Sequence, residues 1–118
     1  MAYEIHISRS PRGSDIALAE WVEAVRQADH VRLAEGDYLV TLPETGQVFR
    51  FPNTGGDTEV FFSIDGAWRR VFRWHAGRVS FICPKDFDDE TSQMRSVARA
   101  LADALQASIV GDDGEVYR

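Results

Sequence analysis

Four arginines lie close together in one short stretch of the chain, and guanidinium groups bind carboxylates and phosphates. Residues 67–83 contain no acidic residue, whereas the whole chain has a net charge of −6. The arginines of this stretch are Arg69, Arg70, Arg73 and Arg78. This stretch is therefore the first candidate for a site that binds a small anion or an acidic partner.

The spacing within this stretch predicts which side chains act together. If residues 68–75 form one strand, alternate side chains share a face, and Arg69, Arg73 and His75 lie on the same side. Arg78 follows across a tight turn and is placed to join them. The same pattern also fits a solvated sheet face whose arginines pair with acids on neighbouring strands, such as Glu59. Both interpretations stay open from the sequence.

The other reactive residue types lack the spacing that catalysis or metal binding requires. His6, His30 and His75 have no metal-ligand spacing, and the lone Cys83 has no cysteine partner. A cluster of His6, His75 and Cys83 formed by folding stays an alternative. The chain has no G-x-S-x-G nucleophile motif and no Gly-Lys-Ser/Thr phosphate loop. We predict no catalytic residue, no metal and no cofactor.

Acidic residues occur in two clusters near the end of the chain. Asp86, Asp88, Asp89 and Glu90 form the first, and Asp112, Asp113 and Glu115 form the second. Neither cluster follows the frame of a calcium-binding loop. The first suits the start of a helix, and the second contains an Asp-Gly turn.

Acids on loops and in the C-terminal segment are also candidates for contact with a basic protein partner, because an acidic surface steers such a partner into place. The candidates are Asp57, Glu59, Asp112, Asp113 and Glu115.

Hydrophobic periodicity predicts the elements that position these residues. Apolar residues at helical spacing predict helices over 17–28 and 88–107. Apolar or alternating runs bounded by turn residues predict the strands. These runs are 3–8, 31–33, 38–42, 48–51, 59–64, 68–75, 79–83, 109–110 and 115–117. We expect one α+β domain over residues 1–118, with a mostly antiparallel sheet of five to six strands and two helices packed on one face.

Composition restricts the class of protein further. The 118 residues are 44% hydrophobic and 27% charged, which is typical of a globular domain. No apolar run approaches the length of a membrane helix, and the acidic charge argues against nucleic-acid binding. A lone cysteine without a signal peptide favours a reducing compartment, so we expect a cytoplasmic protein.

Aromatic residues occur on both faces of the predicted strands. Phe61 and Phe62 are adjacent and must point to opposite faces, so one of them is not under the helices. Phe49 and Phe51 alternate with Val48 and Arg50, and what covers each face of that strand is open in the same way. This pattern suggests that the strands are covered on both faces and that a partner covers one of the two faces.

Several short motifs give the chain a resemblance to a group of small uncharacterised acidic α+β proteins of bacteria. The motifs are at residues 1–7, 19–21, 43–46 and 111–117. Some proteins of this size and charge are immunity proteins of polymorphic or contact-dependent toxin systems. The resemblance implies a non-catalytic protein-binding module, such as an immunity protein that blocks a basic toxin domain, and it assigns no functional residue. The alternatives are a self-associating domain, such as a homodimer, and a small anion-binding protein that uses the Arg/His sheet face.

Overall fold

The computed structural model describes residues 3–9, 13–89 and 91–117. Met1 and Ala2 of the N-terminal motif and Glu90 of the acidic run lie outside these residues. The described part contains two helices and ten strands, and every strand pair is antiparallel. The predicted α+β class is therefore confirmed.

The largest unit is a five-stranded sheet in the order β10-β9-β1-β8-β7. Its strands are β1 (Glu4–Ser8), β7 (Arg73–His75), β8 (Arg78–Ile82), β9 (Ser108–Gly111) and β10 (Val116–Tyr117). In the central strand, Ile5 and Ile7 are fully buried on one face. Because side chains alternate, His6 points to the opposite face.

Two smaller sheets complete the strand arrangement. The three-stranded sheet has the order β2-β5-β6, and the remaining two strands pair only with each other in a hairpin. These strands are β2 (Val31–Leu33), β3 (Tyr38–Thr41), β4 (Val48–Phe51), β5 (Thr58–Phe62) and β6 (Ala67–Arg70). In the described part of the chain, neither β3 nor β4 has a second strand on its outer edge.

Two helices, α1 (Leu18–Gln27) and α2 (Gln93–Leu105), pack against each other. Trp21 of α1 and Leu101 of α2 are fully buried in the same core cluster as Ile5 and Ile7. Neither described helix has the length and apolar character needed to cross a membrane.

Both helices are shorter than the periodicity predicts, and their caps explain the difference. The backbone N–H of Ala17 donates to Oε1 of Glu20 at 3.0 Å, and the helix begins at the next residue. Oγ of Ser92 accepts a hydrogen bond from the N–H of Arg95 at 3.1 Å, which starts α2 at 93 rather than 88. Asp86 and Asp88 lie in turns and Asp89 in a bend before the helix.

The prediction of one strand over residues 68–75 is wrong, because the chain changes sheets at Val71 and Phe72. β6 ends before this pair in the three-stranded sheet, and β7 begins after it in the five-stranded sheet. Phe72 is fully buried, and its ring contacts Trp21 and Phe81 edge-on, with centroid separations of 5.8 and 5.0 Å. Thr58 stabilises the chain at this break, because its N–H donates a hydrogen bond to the Phe72 carbonyl at 2.9 Å. Burial of Phe72 therefore divides the predicted strand.

Candidate functional site: an Arg/His cleft beside an exposed hairpin

A cleft of about 710 Å³ lies on the face of the five-stranded sheet that His6 occupies. Strands β1, β7 and β8 supply its floor, and the β3–β4 hairpin and the loop after it supply the facing residues. The side chains that argue for a function are Arg70, Arg73, His75, Arg78, His6, Ser80, Tyr38 and Phe51. We call this feature the Arg/His cleft.

Strand register brings the floor residues of the Arg/His cleft together. Arg73 lies directly opposite Ser80, and His75 lies directly opposite Arg78. Side chains that face each other across antiparallel strands point to the same side of the sheet, about 5 Å apart at their Cβ atoms. Ser80 is in turn opposite His6 on the next strand. The floor is therefore an array of basic and hydroxyl groups.

Asp57 holds two of the arginines in place. Its side chain is almost completely buried, with Oδ2 3.2 Å from Nη1 of Arg70 and Oδ1 3.6 Å from Nε of Arg73. Arg70 also donates to the carbonyls of Glu35 and Gly36, each at 2.7 Å. Because three acceptors engage it, Arg70 is mainly a structural link between the cleft and the loop that precedes the hairpin.

The basic side chains on the outer part of the floor have fewer partners. Arg73 is about half exposed and makes one long hydrogen bond to the Pro52 carbonyl, at 3.4 Å. Arg78 and His75 are exposed, and within the described residues neither side chain has a hydrogen bond or an ion pair. His75 and Arg78 are therefore open to an anion that enters the cleft, and Arg73, whose Nε is 3.6 Å from Oδ1 of Asp57, has its half-exposed guanidinium on the same face.

Aromatic rings from the hairpin face Arg70 and Arg73. The rings of Tyr38 and Phe51, which are paired across β3 and β4, have centroids 6.1 Å apart. The guanidinium of Arg70 is 5.8 Å from the centre of the Tyr38 ring, and that of Arg73 is 5.6 Å from the centre of the Phe51 ring. Guanidinium groups are attracted to aromatic faces at this range. The cleft thus combines an apolar wall with a basic floor.

His6 links Ser80 to Asp112 at the inner end of the floor. Nδ1 of His6 is 2.8 Å from Oγ of Ser80, and Nε2 is 2.8 Å from Oδ1 of Asp112. The order of groups is that of a serine–histidine–aspartate relay. However, Ser80 lies within a strand that is paired on both sides, so no backbone N–H beside it is free to stabilise an oxyanion. We interpret the relay as a structural network.

The structure divides the predicted basic set. Arg73, His75 and Arg78 all line the cleft, as the alternation and the turn predict. Arg69 does not join them, because it belongs to β6 in the other sheet, where it forms an ion pair with Asp65 at 2.7 Å. Arg70 lines the cleft instead of Arg69. The sequence could predict this difference only if the break after β6 were known.

The candidate acidic residues have partners within the chain. Glu59 pairs with Arg32 at 2.9 Å, rather than with the basic stretch. Asp113 accepts a hydrogen bond from the hydroxyl of Tyr3 at 2.5 Å, which lowers the pKa of its carboxyl group. A hydrogen bond from His6 likewise lowers the pKa of Asp112. With Asp57 buried between two arginines, these acids support the fold, and Glu115 lies exposed beside them.

Exposed apolar side chains are concentrated on the β3–β4 hairpin, a feature that the Phe49/Phe51 alternation suggested in part. The large apolar residues of the hairpin are between 39% and 59% exposed. They are Tyr38, Leu39, Val48, Phe49 and Phe51. Register places Tyr38, Phe49 and Phe51 on one face and Leu39 and Val48 on the other. Apolar surface is therefore exposed on both faces of this hairpin.

Metal and thiol chemistry have no built site in the described part of the chain. No three His, Cys, Asp or Glu side chains there are arranged to hold a metal ion. Cys83 does not join His6 and His75 in the cleft, and burial raises the pKa of its thiol. A raised thiol pKa disfavours the reactive thiolate.

Comparisons with known proteins add no assignment. No protein-family model matches the chain, and no curated protein or solved structure is significantly similar to it.

Proposed function

We propose that this chain is a non-catalytic protein-binding module that docks onto a basic partner protein through the β3–β4 hairpin. The observation that supports this function best is the concentration of exposed apolar residues on that one hairpin. Large contiguous apolar patches on a protein surface are characteristic of interaction sites. A single hairpin is also marginally stable in water, so a partner that covers it would stabilise it.

The open edges of the hairpin support the same conclusion. Neither β3 nor β4 has a second strand beside it in the described part of the chain. Unpaired strand edges recruit strands from other chains, and alternate side chains then provide specificity. Leu39 and Phe49, on opposite faces of the hairpin, are suitable apolar anchors for such a contact.

Charge supports a basic partner. The chain has a net charge of −6, and exposed carboxylates flank the hairpin at Glu35 and Glu44. The exposed basic residue of the hairpin, Arg50, is already paired with Asp37 at 2.5 Å. A net negative charge accelerates association with a basic domain and disfavours acidic competitors. A toxin domain that is blocked by this chain, as by an immunity protein, is the specific form of the proposal.

The experiment uses purified proteins encoded by the genes that flank this one. We expect one of them to bind, and the double variant Leu39→Ser/Phe49→Ser to weaken binding about a hundredfold, as loss of apolar hot spots does. Ile64→Ser is the matched control, because Ile64 is 92% exposed and lies on the turn after β5. Calorimetric titration measures all three affinities.

Two results would contradict the proposal. Equal affinity of the double variant and the wild type would place the docking surface away from the hairpin. If no flanking gene product binds, and none that arrests growth is neutralised by this chain in cells, the antagonism of a toxin is refuted.

Self-association is a second candidate, favoured by the same unpaired edges of β3 and β4. Two copies would pair edge to edge and cover their apolar hairpins mutually. Sedimentation velocity over a wide concentration range tests this candidate. A dimer that Leu39→Ser/Phe49→Ser dissociates supports it, and a monomer at every concentration contradicts it.

A further inference from the structure

We propose that the Arg/His cleft binds a small organic anion, with its carboxylate or phosphate group at Arg73, His75 and Arg78 and an aromatic body against Tyr38 and Phe51. This inference rests on basic residues of the sheet floor that the docking proposal does not use, while Tyr38 and Phe51 of the hairpin belong to both surfaces.

Unpaired cations carry the first step of the argument. The chain has 19 acidic and 13 basic residues, yet Arg78 has no ion-pair partner among the described residues. Arg78 also lies directly opposite His75, which can donate a hydrogen bond in either protonation state. Two donor side chains at directly opposed positions on one sheet face suit an oxyanion.

Arg73 supplies the third donor. It lies two residues from His75 on the same strand, so both side chains point to the cleft. Its Nε approaches Asp57, and its guanidinium is about half exposed. A planar guanidinium with free N–H groups binds carboxylate and phosphate oxygens in pairs.

The acids in the cleft do not cancel this charge. Asp57 is shared between Arg70 and Arg73, so one carboxylate serves two guanidiniums. Glu4 lies opposite Ile82, at a different position on the floor from the His75–Arg78 pair. Asp112, which is hydrogen-bonded to His6 and to the N–H of Glu4, is attracted by Arg78 without a close ion pair. An anion at Arg78 and His75 would therefore supply a direct partner that neither side chain has among the described residues.

Shape and lining define the rest of the ligand. The cleft, at about 710 Å³, is in the range that holds a small organic molecule and exceeds what an inorganic ion requires. Tyr38 and Phe51 are among its lining residues. Aromatic side chains prefer offset or edge-on contact with a flat ring. We therefore expect an aromatic carboxylate or an aryl phosphate to bind better than inorganic phosphate.

Titration calorimetry with four probes tests the proposal. The probes are 2-naphthoate, 1-naphthyl phosphate, the uncharged 2-naphthol and inorganic phosphate. We expect the two naphthyl anions to bind at least about tenfold more tightly than the other two probes. 2-Naphthol lacks the anionic group, and inorganic phosphate lacks the aromatic ring. A stronger response to the phosphate than to the carboxylate, or the reverse, identifies the head group that the site prefers.

Variants connect binding to the named residues. Arg78→Gln should weaken the naphthyl anions about tenfold, which is the loss expected for a hydrogen bond to a charged group. Arg99→Gln removes the same charge from the exposed side of α2, away from the cleft, and should leave the affinity unchanged. Arg78 has no hydrogen bond or close ion pair in the described fold and only an electrostatic attraction to Asp112, so its replacement should change the melting temperature little.

Three results would overturn the inference. The first is no binding of either naphthyl anion at millimolar concentration. The second is equal binding of 2-naphthol, which would indicate an apolar contact without an anion site. The third is equal weakening by Arg78→Gln and Arg99→Gln, which would indicate non-specific charge attraction.

Discussion

Nε2 of His6, in the central strand of the five-stranded sheet, lies 2.8 Å from Oδ1 of Asp112, just beyond the end of β9. The other carboxylate oxygen of Asp112 accepts a hydrogen bond from the backbone N–H of Glu4 at 2.9 Å. These contacts, and the His6 contact above all, lower the pKa of Asp112 in the folded chain. Asp112 therefore stabilises the fold above its unfolded pKa, and this contribution is lost as the pH falls through the folded pKa.

We predict that Asp112→Asn lowers the melting temperature at neutral pH, and that the difference from wild type shrinks as the pH falls below about 4, the unfolded pKa of an aspartate. Thermal melts followed by circular dichroism at several pH values measure this difference. Asp103→Asn on the exposed side of α2 is the control, because its carboxylate has no partner among the described residues. A difference for Asp112→Asn that does not change with pH would contradict the prediction.

Gly56 is a position where any side chain would collide with the core. A Cβ atom there would lie 2.5 Å from Cβ of Trp74 and 3.1 Å from Cδ1 of Leu18. The Gly56 carbonyl also accepts the indole N–H of Trp21 at 2.8 Å, which fixes the loop against α1. We predict that Gly56→Ala reduces the free energy of unfolding by about 1–3 kcal/mol through overpacking. Urea denaturation measures this loss.

Gly66 provides the comparison for this prediction. Its φ is +64°, and an added Cβ would meet no atom within 4 Å. Gly66→Ala should therefore cost about 1 kcal/mol, from backbone strain alone. If Gly66→Ala destabilises the protein more than Gly56→Ala, crowding against Trp74 is not the dominant effect.

The hairpin should open more readily than the sheet that contains the core. Strands β3 and β4 pair only with each other in the described part of the chain, whereas β1 is paired on both sides. Few buried contacts and exposed backbone hydrogen bonds lower the free energy of local opening. We predict that the amides of Tyr38–Thr41 and Val48–Phe51 exchange with deuterium much faster than those of Glu4–Ser8. Equal protection of the two regions would contradict this prediction.

The sequence predicts the secondary structure well where local signals determine it. Helical spacing predicts α2, whose buried apolar residues run from Met94 to Leu105. Strand alternation places His75 and Arg78 on one face, and the register agrees. These predictions depend on neighbours within one or two turns, which the sequence contains directly.

Contacts between distant residues could not be predicted in the same way. Asp112 and His6 are 106 residues apart, and no local pattern relates them. The division of residues 68–75 depends on Phe72 entering a core that α1 and β8 complete. Arg73 and His75 both follow the break, so their predicted placement on one face is confirmed. Arg69 precedes the break and lies in the other sheet, so its predicted placement beside them is wrong.

Phe72 provides the last test, because one buried ring determines how the two sheets and the cleft meet. It is fully buried, and its neighbours Val71 and Arg73 line the cleft. We predict that Phe72→Ala lowers the free energy of unfolding by about 3–5 kcal/mol, the usual cost of emptying a buried aromatic site. Phe49→Ala removes the same ring from a side chain that is 42% exposed and should cost far less. Urea denaturation of both variants measures the difference, and comparable losses would show that Phe72 does not have the central packing role described above.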